Sequence, residues 1–216
     1  MIGLMMMKNK SLEIEKYLDY LFPDPKCELN YTNDYELLIA IVLSAQTTDK
    51  RVNSVTSVLF DKYPSLEALS KASLADLETI LRPLGSFRKK ALYVHNIANI
   101  LHNEYNDIVP HDRDRLENLP GVGRKTVNVF FGEYLGKPAI AVDTHVNRVA
   151  KRLGIAKEKD NVLQVEEKLK KCFPKDSWAK IHLQLVLFGR YHCKAKNPNC
   201  KECQIINLCK EKKKNL

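Results

Sequence analysis

The chain has 216 residues; 35 Lys and Arg against 26 Asp and Glu leave a formal net charge of +9, and 44% of residues are apolar. That length supports one ordinary globular domain, or two small ones, with a real core, and the apolar fraction excludes a disordered chain. The longest nearly unbroken apolar run, Leu37–Ala45, is under half of the roughly 20 residues that a membrane-spanning helix needs. The opening MIGLMMMK has no basic leader and no small-residue cleavage site, so no secretory signal is expected, and its methionines leave the start codon open. A soluble, basic, intracellular protein is expected, and the usual partners of such a surface are nucleic acids or anionic lipid.

The pattern is helical almost throughout. Ser11 is placed to cap a first amphipathic helix, Leu12–Phe22, closed by Pro23 and Pro25. Asn33 or Asp34 caps Tyr35–Gln46, which is apolar nearly all round and so expected at the centre of a domain. A helix over Arg51–Tyr63 ends at Pro64, and Ser65 and Ser73 cap two short helices that finish near Pro83 and Gly85. Phe87–Tyr105 carries a stripe at Ala91, Val94, Ile97, Ala98 and Leu101. Asp112–Leu119 is short, and Arg124–Leu135 resumes after Gly123. Asp143 precedes the stripe Val146, Val149, Ala150 and Leu153; Asn161 precedes Val162–Phe173, and Asp176 precedes Ser177–Tyr191. Ala139–Val142 is too short to build a sheet. The expected fold class is all-α, with about ten helices and short loops.

Three constellations can carry chemistry. The first is Leu119-Pro120-Gly121-Val122-Gly123, a turn between two helices. Two glycines allow a tight turn and a close approach, and the first N–H groups of the Arg124 helix then face outward with the positive end of its dipole, which suits a DNA phosphate. An ordinary helix–helix turn is the plain alternative. Lys125, directly after Arg124, reads as a solvated charge, a phosphate contact or a nucleophile; the last needs the neutral amine, which the first helical turn favours. The second is Ala141-Val142-Asp143-Thr144-His145. Asp143 is a natural N-cap, or else a carboxylate that assists Lys125 or stabilises positive charge on a sugar. The third is Cys193-x6-Cys200-x2-Cys203-x5-Cys209, which fits a tetrahedral zinc or the four irons of a cubane cluster better than disulfides, since nothing directs the chain to an oxidising compartment. Cys27 and Cys172 read as structural thiols.

Taken together, LPGVGRKT, AVDTHV and the four-cysteine spacing, with Leu43-Ser44-Ala45-Gln46-x-Thr48-Asp49 nearer the N-terminus, closely resemble the endonuclease III family of DNA glycosylases over about residues 11–210. The resemblance implies two helical domains: a six-helix barrel over 27–137 with a helix-hairpin-helix at about 112–135, and a cluster domain built from 1–26 plus 138–216. It implies double-stranded damaged DNA lying across a cleft between them, with the damaged nucleotide flipped out at a cost of a few kcal/mol. Lys125 would be the nucleophile that attacks the sugar C1′, releases an oxidised pyrimidine and cuts the strand by β-elimination, with Asp143 assisting. Cys193, Cys200, Cys203 and Cys209 would hold one 4Fe-4S cluster in the loop 193–209, and that loop would present Lys194 and Lys196 to the DNA backbone. Gly121, Val122, Gly123 and Arg124 would grip phosphate, Gln46 would fill the gap left by the flipped base, and Ser44 and Asp49 would lie near the lesion.

The same resemblance exposes a departure. Many relatives carry Gly-Leu-Tyr where this chain has Gly85-Ser86-Phe87, so the apolar wedge falls to Phe87 or is weaker. A mismatch glycosylase of the same fold is disfavoured by Lys125 and by the short tail after Cys209. A non-catalytic DNA-binding or redox-sensing module would bind without cleavage. The expected protein is a monomer without membrane attachment and, if its source is prokaryotic, cytoplasmic and associated with the nucleoid.

Overall fold

The computed structural model describes residues 2–216, with side chains from Asn9 onward, so the start codon and the side chains of the opening segment lie outside the described residues. Among them are eleven α-helices and no strand, and Ala139–Val142 is loop. No described helix is long and apolar enough to cross a membrane. The chain divides into two compact units, Cys27–Leu135 and Met1–Lys26 together with Gly136–Leu216.

The unit Cys27–Leu135 is built around α2 (Asp34–Leu43). Asn33 caps it, its side chain accepting the Glu36 N–H at 3.0 Å, and every residue from Leu37 to Leu43 is buried. Burying each Leu, Ile or Val of that run is worth about 1.5–3 kcal/mol, so α2 sits where an all-apolar helix must. Helices α3 (Asp49–Lys62), α6 (Phe87–Tyr105) and α8 (Arg124–Glu133) pack on it, while the short α4 (Leu66–Ser70) and α5 (Leu74–Leu81) lie on α6. Ser65 and Ser73 cap α4 and α5 through their hydroxyl oxygens, which accept the N–H groups of Ala68 and Asp76. The helix α2 stops three residues before Gln46, because Gln46 takes a left-handed backbone conformation that no α-helix continues.

The second unit packs α1 (Ile2–Leu21), α9 (Thr144–Arg152), α10 (Val162–Cys172) and α11 (Trp178–Leu187) around Ile14, Leu18, Val146, Val149, Leu169 and Leu185. Ser11 does not cap α1: the helix runs through it from Ile2. The residues before it are mostly good helix formers, so no local signal stops the helix there. Asn161 caps α10 in a reciprocal capping box with Gln164. The helix expected over Ser177–Tyr191 is three pieces. A 3₁₀ turn, Lys175–Ser177, enters α11, and a π turn, Phe188–His192, leaves it and closes with the Cys193 N–H on the Phe188 carbonyl at 2.7 Å. Gly189 sits in that π turn because α9 runs against it: a Cβ there would lie 2.7 Å from the His145 Cβ.

Candidate functional site

In the Cys27–Leu135 unit the hairpin joins α7 (Arg113–Glu117) to α8. Asp112 caps α7 with its carboxylate on the Arg115 N–H. Arg113 clamps the two helices together, donating to the Asn128 side chain at 2.7 Å with its guanidinium over the Phe131 ring. Leu119 and Val122 are buried, and the Val122 N–H closes the turn on the Leu119 carbonyl at 3.1 Å. The two glycines do different jobs. Gly121 has φ +77°, and a Cβ there would meet the Tyr93 ring at 2.5 Å, so both backbone and space demand glycine. Gly123 is extended at φ −120°, with open space where a Cβ would stand; the conformation does not require glycine, contrary to the expectation that both glycines make the turn. It is the N-cap of α8 without a side-chain cap, so the leading N–H groups of the helix face an open surface. Lys125 follows in the first turn, exposed and paired with no carboxylate of its own unit among the described residues.

Two further turns belong to this unit. After α2, Ser44 closes the helix with its hydroxyl on the Ile41 carbonyl at 2.7 Å, and the exposed Gln46 stands at φ +54°. A non-glycine residue in that region costs on the order of 1 kcal/mol, so the surroundings must hold it. Asp49, half-buried, begins α3. Before α6, the exposed Ser86 stands at φ +55°, and Phe87 packs partly into the core with the Arg88 guanidinium 5.1 Å from its ring centre. Lys90 connects the two turns. It is buried, and its ammonium donates to the Ala45 carbonyl at 2.9 Å and the Thr47 hydroxyl at 2.8 Å.

In the other unit Asp143 caps α9, its Oδ1 accepting the Val146 N–H at 2.8 Å, and its second oxygen takes no hydrogen bond among the described residues. The plain reading of this residue as a cap holds, and it leaves half the carboxylate for other work. Farther along α9, Arg148 and Arg152 reach the cysteine loop. Arg148 donates to the carbonyls of Gly189 at 2.7 Å and Cys193 at 3.2 Å. Arg152 donates to the Lys194 carbonyl at 2.8 Å and toward the Cys193 sulfur at 3.5 Å, and pairs with Glu211 at 3.2 Å. Lys194 is half-buried and Lys196 exposed.

Cys193, Cys200, Cys203 and Cys209 line one pocket, walled on the remaining sides by Leu153, Phe188 and Ile206, and none is in a disulfide. Among the described residues no three His, Cys, Asp or Glu are grouped so as to hold a single metal ion. Burial pushes the Cys193 thiol up and the Cys203 thiol to about 11, so a bound metal has protons to displace.

Ser44, Gln46, Asp49, Phe87 and the segment Gly121–Lys125 therefore lie on one unit, and Asp143, Lys194, Lys196 and the four cysteines on the other. The sequence motifs do not single out Lys90, Arg148 or Arg152. A signal for Lys90 exists: it stands four residues before Val94 on the apolar stripe of α6, a lysine in a core register.

Residues 39–175 match the HhH-GPD superfamily of base excision DNA repair proteins, which defines the class to which the helical fold and its hairpin belong. Endonuclease III of Bacillus subtilis (strain 168) is 47% identical over 205 residues, 94% of each chain. The structure of a non-covalent endonuclease III–DNA complex superposes with a TM-score of 0.90 at 47% identity, covering 94% of this chain and 95% of that one. A trapped covalent endonuclease III–DNA intermediate, an estranged-adenine complex, gives 0.88 at 47% identity over 93% and 96%. The chain belongs to the endonuclease III family, and it is a DNA glycosylase and abasic-site lyase of base excision repair.

Proposed function

We propose that Lys125 is the nucleophile and that oxidised pyrimidines of the thymine-glycol type, with abasic sites, are the substrates. The observation that carries this reading is the placement of an exposed lysine, without a carboxylate partner in its unit among the described residues, in the first turn of α8, directly behind an uncapped helix N-terminus. The leading N–H groups of α8, with Gly121 to Arg124, bind a DNA phosphate. That contact holds the sugar of the flipped nucleotide against the amine.

The Lys125 nitrogen attacks C1′ as the bond from C1′ to the base breaks, and the base leaves with that electron pair and takes up a proton. Opening of the sugar ring gives an iminium between Lys125 and C1′. Loss of a C2′ proton then expels the 3′ phosphate by β-elimination, and water hydrolyses the imine to free the lysine. Asp143 assists with the carboxylate oxygen its capping bond leaves over, stabilising positive charge at the sugar or accepting a proton. Gln46 fills the gap in the duplex, Ser44 and Asp49 border the lesion, and Phe87, partly committed to the core, makes the plug at Ser86 a weak one.

Four thiols around one pocket suit a cluster that takes one thiolate at each iron. Cys193, Cys200, Cys203 and Cys209 hold one 4Fe-4S cluster there. When bound, the cluster supplies a structural tie that keeps Lys194 and Lys196 on the DNA backbone, and no electron transfer enters base release. One chain supplies every contact in this scheme, so the enzyme acts as a monomer on chromosomal DNA.

A duplex carrying one thymine glycol tests the assignment. The parent releases the base and leaves a nick ending in a 3′ unsaturated aldehyde, and Lys125→Ala loses both steps by about 10³-fold or more. Nicking by Lys125→Ala at the parent's rate overturns it.

A further inference from the structure

Lys90 is a buried ammonium without a counterion. Its side chain is 5% exposed, no carboxylate pairs with it among the described residues, and burial alone lowers its pKa. A buried charge normally carries a large desolvation penalty unless it is paired, so one held only by neutral oxygens calls for a reason. Those oxygens are the Ala45 carbonyl at 2.9 Å and the Thr47 hydroxyl at 2.8 Å, the immediate neighbours of Gln46 on either side. The Thr47 hydroxyl also donates to the Ala45 carbonyl at 3.3 Å, so three groups form one knot beneath Gln46. Lys90 stands one helical turn past the other turn, its N–H making the first backbone hydrogen bond of α6 on the Ser86 carbonyl at 3.1 Å. Gln46 and Ser86 are both non-glycine residues at positive φ, and the Lys90 side chain bonds on either side of Gln46 from the first turn of the helix that Ser86 begins.

We infer that Lys90 is a positioning residue that pins the Ala45–Thr47 turn in its left-handed form and so projects Gln46 into the gap left by a flipped nucleotide. The inference rests on the reading of Gln46 as the gap filler. In this chain the demand on Gln46 is high, because Ser86 offers no apolar wedge. The long reach of lysine explains the residue type: a neutral side chain on the stripe of α6 would fill the core but would leave the Thr47 hydroxyl oxygen without its donor and the Ala45 carbonyl with only the longer Thr47 bond. The turn would then relax toward negative φ, and Gln46 would turn with it.

The test uses full-length protein with its cluster and a duplex holding a tetrahydrofuran abasic analogue opposite 2-aminopurine. Binding by the parent raises the 2-aminopurine fluorescence as the opposing base is unstacked. Gln46→Ala is expected to lose most of that rise. Lys90→Met, of similar length and uncharged, is expected to lose as much, to cut single-turnover release of thymine glycol roughly tenfold, and to add nothing further in the Gln46→Ala, Lys90→Met double variant. Thr47→Val, which removes one acceptor and spares the buried charge, should lose part of the rise and so decides the matter if Lys90→Met does not fold. A normal rise in Lys90→Met or Thr47→Val, or a double variant clearly worse than Gln46→Ala, overturns the positioning role while leaving Gln46 in place. A normal rise in Gln46→Ala overturns the reading of Gln46 itself, and the role of Lys90 falls with it.

Discussion

The two units hold their functional loops by opposite means. In Cys27–Leu135 the hairpin and the Gln46 and Ser86 turns hang from a single apolar core around α2, in which Leu37, Leu38, Leu43, Val94, Val127 and Phe130 have no exposure at all. In the other unit the stretch from Cys193 to Cys209 contributes only Ile205 to the buried apolar core, and its four cysteines are half-exposed. It is held instead by α9 arginines on backbone carbonyls, and its four cysteines line one pocket. A loop on a core keeps its shape without a ligand; a loop with almost no core borrows its order from what it binds. On the proposed assignment, the division puts the reacting amine, which must be placed finely, on the unit with the apolar core and the backbone grip, which need only be strong, on the other.

The largest effect short of losing Lys125 is expected at Asp143. Asn caps a helix as well as Asp, so Asp143→Asn should keep its melting temperature while single-turnover base release falls by about 10² to 10⁴. Equal turnover, or a large loss of stability, would return Asp143 to a purely structural part.

Stripping the proposed iron–sulfur cluster sharpens the contrast between units. Amide exchange should accelerate across 193–209 and at the end of α9 where Arg152 anchors it, with protection in α2 and α6 unchanged, and DNA affinity should fall about tenfold, most visibly at raised salt. Exchange rising equally in both units would contradict the division.

Within the hairpin the two glycines should separate. Gly121→Ala must enter the left-handed region and displace Tyr93, costing roughly 2 kcal/mol of stability in its unit. Gly123→Ala meets open space and should fold normally while weakening phosphate binding several-fold, because the methyl stands at the open helix end. Thermal melts and filter binding on the pair distinguish packing from contact.

The smallest effect lies with Cys172, whose thiol burial raises to about 11. A thiol favoured in its neutral form by the fold contributes stability that is intact below the ordinary cysteine range and lost as pH rises through about 11. The melting temperature of the parent should therefore fall more steeply than that of Cys172→Val between pH 9 and pH 11.

Much of this was legible in the sequence where the determinant is local. The caps at Asn33, Ser65, Ser73, Asp143 and Asn161 are set by side-chain oxygens within three residues of their N–H partners, and the apolar all-round pattern of α2 announces a central helix. Ser11 misleads because a capping residue stops a helix only when the chain before it cannot continue one. The crowding of Cys193, Cys200, Cys203 and Cys209 is a matter of spacing. The left-handed turns at Gln46 and Ser86 are not, since neither residue favours that region; beside Gln46 the long-range bonds come from Lys90, more than forty positions away. Gly121 and Gly123 look alike in the motif, and only the left-handed backbone at Gly121 and the Tyr93 ring against it tell them apart.

Reductive trapping tests the central claim most directly. With borohydride present during reaction with an abasic duplex, the parent should form a covalent protein–DNA adduct that maps to the peptide containing Lys125, and Lys125→Ala should form none. An adduct of equal yield in Lys125→Ala, or one mapping to another lysine of the parent, would contradict the account.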